Sequence, residues 1–519
     1  MKNKVPVKPS EKDEETNKSL RLIAKTSMIV FIGVMLSRIL GYAYRVIVAR
    51  YFGAETYGLF SLAIMVLGIF SAFASLGLAE GIVRYGAFYR ARGENKKLSY
   101  ILKFTLFYAG IASIIAGIIM FFSAEFIAVK LFHSETLISF LKIFSILIPI
   151  LVASGIFLSV LRIYEEIKTY SFIYNIFQNF IKVFSLVIFI FIGIKSNAVV
   201  YSYFIGATAM LIAAYYACLK KTRDIFIKYN VNNSEKSIIS SELLSYSWPL
   251  MFSTVIISLF NWIDTFSIGY FMTPSDVGFY NAAVPLALLF YVTSELFTQI
   301  FLPLITREFS KNNIKTVKEL SKQVGKWIFI INLPFFILVL FFPGAIINLF
   351  FGKEYLVAQN CLRILSIGVF TASVARISQN LILMKGKSKV ILFDTIIACA
   401  LNFILNAIMV PRYGITGAAS ATLISVLFLN LLFIFQAKYY VSILPFRRKM
   451  LSIFLVSLIP TAILFYLRSI IQINLFSIII LSSCFFLVYF LLILLISGFD
   501  RNDWEIYEAV KRKMIGIRK

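Results

Sequence analysis

Charge, histidine and cysteine are all scarce in this chain. Charged residues make up 15% of its 519 residues, against about 25% in a typical soluble domain. That shortage excludes an ordinary water-exposed globular surface. There is one histidine and there are four cysteines. Cys218, Cys361, Cys399 and Cys484 lie in or at the edge of apolar runs. They form no CxxC pair and no outer-loop pair, so no disulfide framework and no metal site is expected. His133 falls in an expected outer loop and reads as an ordinary surface residue. No cleavable signal peptide is visible, because the polar residues 1–25 lead into an apolar run that continues as a full span.

Apolar residues are what the chain has in excess. They make up 60% of it, where about 45–50% is usual. They come in blocks of about 18 or more, long enough to cross a bilayer as helices. The expected fold is therefore an all-α polytopic membrane protein. Fourteen spans are predicted: 26–49, 57–88, 100–122, 138–161, 170–192, 199–219, 246–271, 277–305, 327–350, 356–384, 390–410, 417–436, 451–467 and 476–496.

The formal net charge of +26 invites a nucleic-acid reading, which its distribution opposes. With the N-terminus inside, roughly 38 of the 51 Lys and Arg fall on cytoplasmic segments, as the positive-inside rule requires. The charge thus records topology and contact with anionic lipid heads. Both termini are expected in the cytoplasm, and no nucleic-acid partner is expected.

The chain repeats itself. Tyr51 and Phe52 line up with Tyr270 and Phe271, and Gly58 lines up with Gly278. LKIFSILIP from Leu141 resembles LRILSIGVF from Leu362, and GIKSNA from Gly193 matches GITGAA from Gly414. All these pairs lie roughly 220 residues apart, a period that points to a duplicated bundle. The expected organisation is a disordered cytoplasmic tail (1–25), a six-helix lobe (26–219), a cytoplasmic linker (220–245) and a second six-helix lobe (246–440). Two further helices (441–497) and a cytoplasmic tail (498–519) follow. Each lobe holds an even number of spans, so both enter the membrane in one orientation, with a cavity between them.

Ionisable residues inside spans are costly and mark function by default. Arg38 and Arg45 are seven residues apart, on one helix face. They form either a cationic wall or a pair tied to carbonyls and acids nearby. Glu80 and Arg84 have the i, i+4 spacing of an intrahelical ion pair. Asn175, Asn179 and Lys182 fall on one stripe that reads as cavity lining. Asn261 and Asp264 share a face; the acid either pairs with a buried arginine or binds H⁺ or Na⁺. Pro249 is a candidate kink near the start of its span. Glu295, Arg376, Asp394, Asn402 and Asn406 are further polar residues within spans, and small polar side chains of this kind often join helices. Arg38, Arg45, Arg84, Lys182 and Arg376 outnumber the interior acids Glu80, Asp264, Glu295 and Asp394. Such an interior suits an anionic cargo head group, for which arginine and lysine are the natural ligands.

Five stretches together resemble the polysaccharide-transporter branch of the multidrug/oligosaccharidyl-lipid/polysaccharide (MOP) superfamily. They are SRILGYAYRVIVARYFGAETYGLFSLA from Ser37, LGLAEGIVRYGAFYRARGENKK from Leu76 and IDTFSIGYFMTPSDVGFYNAA from Ile263. FLPLITREF from Phe301 and LNFILNAIMVPRYGITGAASATLIS from Leu401 complete the set. The resemblance implies two six-helix lobes that rock about a central cavity. It implies a flippase in the plasma membrane that moves a polyprenyl- or dolichyl-phosphate-linked oligosaccharide to the outer leaflet, beside the polymerase or glycosyltransferases of the same pathway. Carried over by position, it assigns Arg38, Arg45, Arg84 and Asp264 to the site; Lys182 and Arg376 rest on the cavity argument. An H⁺- or Na⁺-coupled multidrug antiporter and a peptidoglycan-precursor flippase are the alternatives. An enzyme is not expected, because the outer loops are short and carry no paired acids. No cofactor is expected beyond H⁺ or Na⁺ as a coupling ion.

Overall fold

The computed structural model describes residues 11–223, 231–470 and 475–495. Every regular element among them is helical. This is the solution open to apolar segments that must satisfy their own backbone hydrogen bonds in lipid. Ten of these helices are long and apolar enough to cross a membrane, or eleven with one bent pair counted as a span. The chain divides into two compact units, Met1–Gly278 and Phe279–Lys519.

The first unit contains α1 (Glu11–Ala74), α2 (Leu78–Ala91), α3 (Asn95–Glu125) and α4 (Thr136–Ile163). It continues with α5 (Ile167–Ser171), α6 (Gln178–Phe191), α7 (Asn197–Lys221) and α8 (Asn233–Phe271). A wider, π-helical turn at Phe172–Phe177 joins α5 to α6 as one span. α1 has 64 residues and would be about 96 Å long if straight, against a hydrocarbon core of about 30 Å. It is not straight. The rings of Tyr44 and Phe60 are 5.5 Å apart, whereas a straight helix would separate them by about 24 Å. The chain doubles back at Gly53, whose φ of 82° and ψ of 176° belong to backbone space that only glycine enters without strain. The first two expected spans are the limbs of α1. α4 lies against α1, α2, α3 and α7 and is buried nearly all round, from Leu137 and Phe144 to Val160 and Leu161.

The turn from α8 into α9 (Pro274–Ala287) packs against the second limb of α1. The repeat-related glycines Gly58 and Gly278 abut there. A Cβ on Gly58 would sit 1.7 Å from the Pro274 carbonyl oxygen, and one on Gly278 would sit 2.1 Å from that of Ala54. The two backbones meet at a distance that excludes any side chain.

The second unit contains the rest of α9 and α10 (Phe290–Ser310), α11 (Ile314–Phe341), α12 (Pro343–Phe350) and α13 (Gln359–Met384). α14 (Ser388–Val441), α15 (Arg448–Ile470) and α16 (Leu475–Leu495) complete it. The 54-residue α14 is again too long for one crossing. Asn402 bonds Thr422 (3.2 Å) and Gln436 bonds Asp394 (3.0 Å) across its limbs. The chain therefore reverses at Gly414, which has φ 59° and ψ −140°. Its repeat partner Gly193, at the turn from α6 to α7, also has a positive φ, 84°. The match of GIKSNA to GITGAA thus pairs two glycines with positive φ. α15 and α16 lay Ile453, Leu464, Leu481, Phe485 and Tyr489 against Leu333 and Ile337 of α11. Their other faces expose residues such as Leu455, Ile459, Leu487 and Leu491, as expected of peripheral helices in lipid.

Four expectations need correction. The span expected at 57–88 is broken: the second limb of α1 ends at Ala74, and Leu76 (φ 49°) and Gly77 (φ 66°) separate it from α2. Ser75 Oγ donates to the Ala72 carbonyl (2.8 Å), the local competition by which serine ends a helix. The span expected at 277–305 is bent by 43° between α9 and α10. Pro285, inside α9, removes one backbone donor just before the bend. Glu11 to Lys25, expected to be disordered, begin α1. Glu80 and Arg84 do not pair with each other, as described below. Residues 1–10 of the N-terminal tail, 224–230 of the linker and the tail 498–519 lie outside the described residues.

Candidate functional site: a cationic cluster in the first unit

Lys182 projects from α6 between two aromatic rings. Its Nζ lies 5.1 Å from the centre of the Tyr44 ring and 5.0 Å from that of Tyr203. The Tyr44 hydroxyl is engaged elsewhere, donating to the Val199 carbonyl (2.6 Å), with Ser202 Oγ at 3.0 Å. That fixes the ring and leaves its face for the ammonium. Gly206 on α7 lets the backbone come close: a Cβ there would lie 3.0 Å from Lys182 Cβ. Arg45, the next residue after Tyr44, hydrogen-bonds to Tyr57 on the other limb of α1. Its charge acts on both Lys182 and Tyr203.

Among the described residues, no carboxylate pairs with Arg45 or Lys182. Tyrosine rings hold an ammonium by about 0.5–2 kcal/mol each but do not neutralise it. Two cations held near each other without an acid attract an anion. Arg38, on the same limb of α1, is half-buried.

The polar stripe on this span has a mixed outcome. Asn179 Nδ2 donates to Ser37 Oγ (3.0 Å) on α1 and to the Asn175 carbonyl (3.0 Å). Asn175 Nδ2 donates to Ser171 Oγ (3.0 Å). Both asparagines are buried and join helices, while Lys182 meets the aromatic rings. Asn175 lies within the π-helical turn Phe172–Phe177, a feature common at functional sites.

Glu80 pairs with Arg162 at the end of α4 (3.1 Å), not with Arg84. Arg84 instead lies 4.2 Å from the centre of the Tyr246 ring on α8. Both are exposed at a helix-end region where other straps gather. Arg90 donates to the Ile163 carbonyl (2.6 Å), and Lys221 reaches Glu166 and Thr169. The Lys221 hydrogen bond holds the Glu166 carboxyl below the usual glutamate range. These groups brace α2, α4, α5 and α7. Asn261 is exposed and Asp264 half-buried on α8.

In the second unit, Arg376 lies 5.7 Å from the centre of the Tyr291 ring, and Glu295 acts on the same tyrosine. Asn402 bonds Thr422, and Asn406 Nδ2 donates to Asn402. Asp394 is buried and accepts from Gln436. The structure brings together Arg45 and Lys182 in one unit, and Arg376 and Glu295 in the other. Tyr44, Tyr203, Gln436 and the fully buried Lys326 were not singled out from sequence. Tyr44 carried a signal, being adjacent to Arg45; Lys326 directly precedes the span predicted at 327–350.

A chain of many apolar helices, with doubled-back spans, is a polytopic membrane protein. The sequence model described as "Polysaccharide biosynthesis protein" matches residues 23–301, more than half of the chain, and the chain belongs to that family. A second model, MatE, matches residues 249–408. A Shigella flexneri protein provisionally named as an O-antigen transporter is 26% identical over 385 residues, covering 72% of this chain and 87% of its own. A Haloferax volcanii protein provisionally named as the low-salt glycan biosynthesis flippase Agl15 is 26% identical over 283 residues, 54% of this chain and 58% of its own. Among solved structures, a lipid II flippase MurJ in an inward closed conformation superposes with a TM-score of 0.73 at 19% identity, covering 91% of this chain and 99% of its own. The fold is therefore that of the MOP superfamily, as the sequence motifs indicated.

Proposed function

We propose that this flippase carries a polyprenyl- or dolichyl-phosphate-linked oligosaccharide across the plasma membrane, from the inner to the outer leaflet. The observation that carries the reading is the cluster of Arg45 and Lys182, held by Tyr44, Tyr57 and Tyr203 without a carboxylate partner. A phosphate or diphosphate supplies the missing negative charge and accepts hydrogen bonds from both side chains. Arg38 belongs to the same wall in this account. The names of the Shigella flexneri and Haloferax volcanii relatives support a glycan cargo. In this account α1 and α14 cross twice each, and the bent α9–α10 pair and α16 once each, which makes fourteen crossings and puts both termini on one side. The positive-inside distribution assigns that side to the cytoplasm, and the enzymes that build and polymerise the glycan are the partners. H⁺ or Na⁺ is the coupling ion.

The multidrug-antiporter alternative draws support from the MatE match at 249–408. A cationic drug would meet repulsion at Arg45 and Lys182. Photo-crosslinking separates the two. A photoreactive polyprenyl-diphosphate oligosaccharide is expected to label the first unit of the purified protein, and inorganic pyrophosphate to compete. Labelling that pyrophosphate leaves unchanged, and that a cationic dye removes, would refute the proposal.

A further inference from the structure

Two oxygens face an unmet need inside the doubled-back helix α14. Asp394, on its first limb, is 4% exposed. Its Oδ1 accepts a hydrogen bond from Gln436 Nε2 on the second limb at 3.0 Å. Its Oδ2 has no partner, and neither has Gln436 Oε1. Both oxygens are buried. An unpaired acceptor in an apolar interior costs about 1–3 kcal/mol, more when charged. Here two acceptors belong to side chains that already touch, and the surroundings offer no relief. The flanking residues Ile391, Phe433, Ala437 and Tyr440 belong to an apolar cluster.

Among the described residues, no ion pair reaches Asp394, and Gln436 is its hydrogen-bond partner. On α13, the helix packed along α14, Arg376 lies over the Tyr291 ring, and Arg363 bonds the Leu340 carbonyl and Asn360. Past the end of α13, Lys385 lies over the Phe309 ring. On α14 and just before it, Lys387 lies over the Tyr440 ring, and Lys389 and Lys438 are exposed.

We propose that Asp394 and Gln436 form a proton-binding site that clasps the two limbs of α14. One proton on Asp394 Oδ2 would give that oxygen a donor, with Gln436 Oε1 as the available acceptor. Together with the existing Nε2–H to Oδ1 bond it makes a carboxyl–carboxamide pair with two complementary hydrogen bonds. The proton comes from water and returns to water, with no other bond made or broken. A metal cation fits less well: hard cations collect six or more oxygens, and the site has two orphaned ones. Without the proton, a bare carboxylate stays buried with one hydrogen bond, and the limbs gain by parting to admit water. A role for this clasp in coupling rests on the transport reading above; proton binding itself does not.

Carbodiimide modification of the purified full-length protein tests the site, because the reagent attacks protonated carboxyls in apolar surroundings. Peptide mapping is expected to find the adduct on Asp394. Its yield should fall about tenfold per pH unit once the site titrates, and sodium chloride should match choline chloride. Infrared spectra should show an acid carbonyl band that shifts in D₂O and is missing from Asp394→Asn. That variant keeps the shape of the pair. The wild-type protein alone decides the outcome if the variant misfolds. Absence of both adduct and band overturns the proposal. So does protection by sodium but not choline, which would assign the site to a metal cation. Absence of glycolipid transport by the unmodified protein, with a normal adduct, leaves the clasp intact and refutes only its coupling role.

Discussion

Replacing Lys182 by methionine separates a binding lysine from a structural one. The substitution keeps an unbranched chain of similar length between the Tyr44 and Tyr203 rings and removes the charge. Two contacts at 5.1 and 5.0 Å, at about 0.5–2 kcal/mol each, give about 1–4 kcal/mol lost with the ammonium. Against this stand the relief of repulsion from Arg45 and of burying a cation without a counter-ion, a penalty of several kcal/mol. Methionine also recovers favourable sulfur–aromatic contacts of about 0.3–1.5 kcal/mol each. The net change in stability is expected within about 1 kcal/mol of zero, or in favour of the variant. Binding of a polyprenyl diphosphate should suffer a different fate. A hydrogen bond to a charged group is worth about 1.5–3 kcal/mol, so affinity should fall roughly 10- to 100-fold. The assay pairs a melting curve with titration of a fluorescent polyprenyl-diphosphate oligosaccharide. A large drop in melting temperature with unchanged affinity would refute the reasoning and make Lys182 a strut.

A double-mutant cycle should give a coupling of about 0.2–1 kcal/mol between Glu80 and Arg162, typical of an exposed pair, and none between Glu80 and Arg84. Coupling to Arg84 instead would restore the intrahelical pair. Asn332 bonds Thr293 Oγ1 (2.8 Å), the Phe290 carbonyl (3.0 Å) and Ser373 Oγ (3.0 Å) at the bend between α9 and α10. Asn332→Leu should lower stability by about 3 kcal/mol in chemical denaturation, because these buried groups lose partners; a change below about 1 kcal/mol would contradict that brace. Gly58→Val should lower the melting temperature, since its Cβ would sit 1.7 Å from the Pro274 carbonyl oxygen, and a fully stable variant would contradict the close approach. Glu166 is a carboxylate held below its usual range by Lys221. Its contribution is present above the unfolded glutamate value of about 4.3 and lost as pH falls through the lower folded value. Glu166→Gln should therefore flatten the acid limb of the stability profile, by less than about 1 kcal/mol given its exposure. An unchanged limb would remove the pair from the account.

The helices were legible because apolar blocks of membrane-spanning length have one solution in lipid. Of the glycines matched by the repeat, Gly193 and Gly414 both have a positive φ, and Gly58 and Gly278 abut. The breaks were less legible. The turn at Ser75 to Gly77 depends on a serine side chain competing for a carbonyl, inside a run that stays mostly apolar up to Phe88. The bend before Phe290 follows one proline, and many prolines leave spans unbroken. Of the site, the surplus of interior cations was readable and their partners were not. Glu80 has Arg84 one turn away in sequence, yet pairs with Arg162, brought near by the packing of α2 on α4. Likewise Lys182 finds Tyr44 and Tyr203 on two other helices, and Asp394 finds Gln436 across a turn. Local spacing reports helix faces; it cannot report which faces meet.

The most direct test of the central claim is a leaflet assay in proteoliposomes with a fluorescent polyprenyl-diphosphate oligosaccharide, read by dithionite quenching under H⁺ and Na⁺ gradients. The account expects protein-dependent flipping that charge reversal at Arg45 or Lys182 abolishes while folding is retained. Absence of flipping, together with gradient-driven export of a cationic dye, would contradict it and place the chain with the drug antiporters.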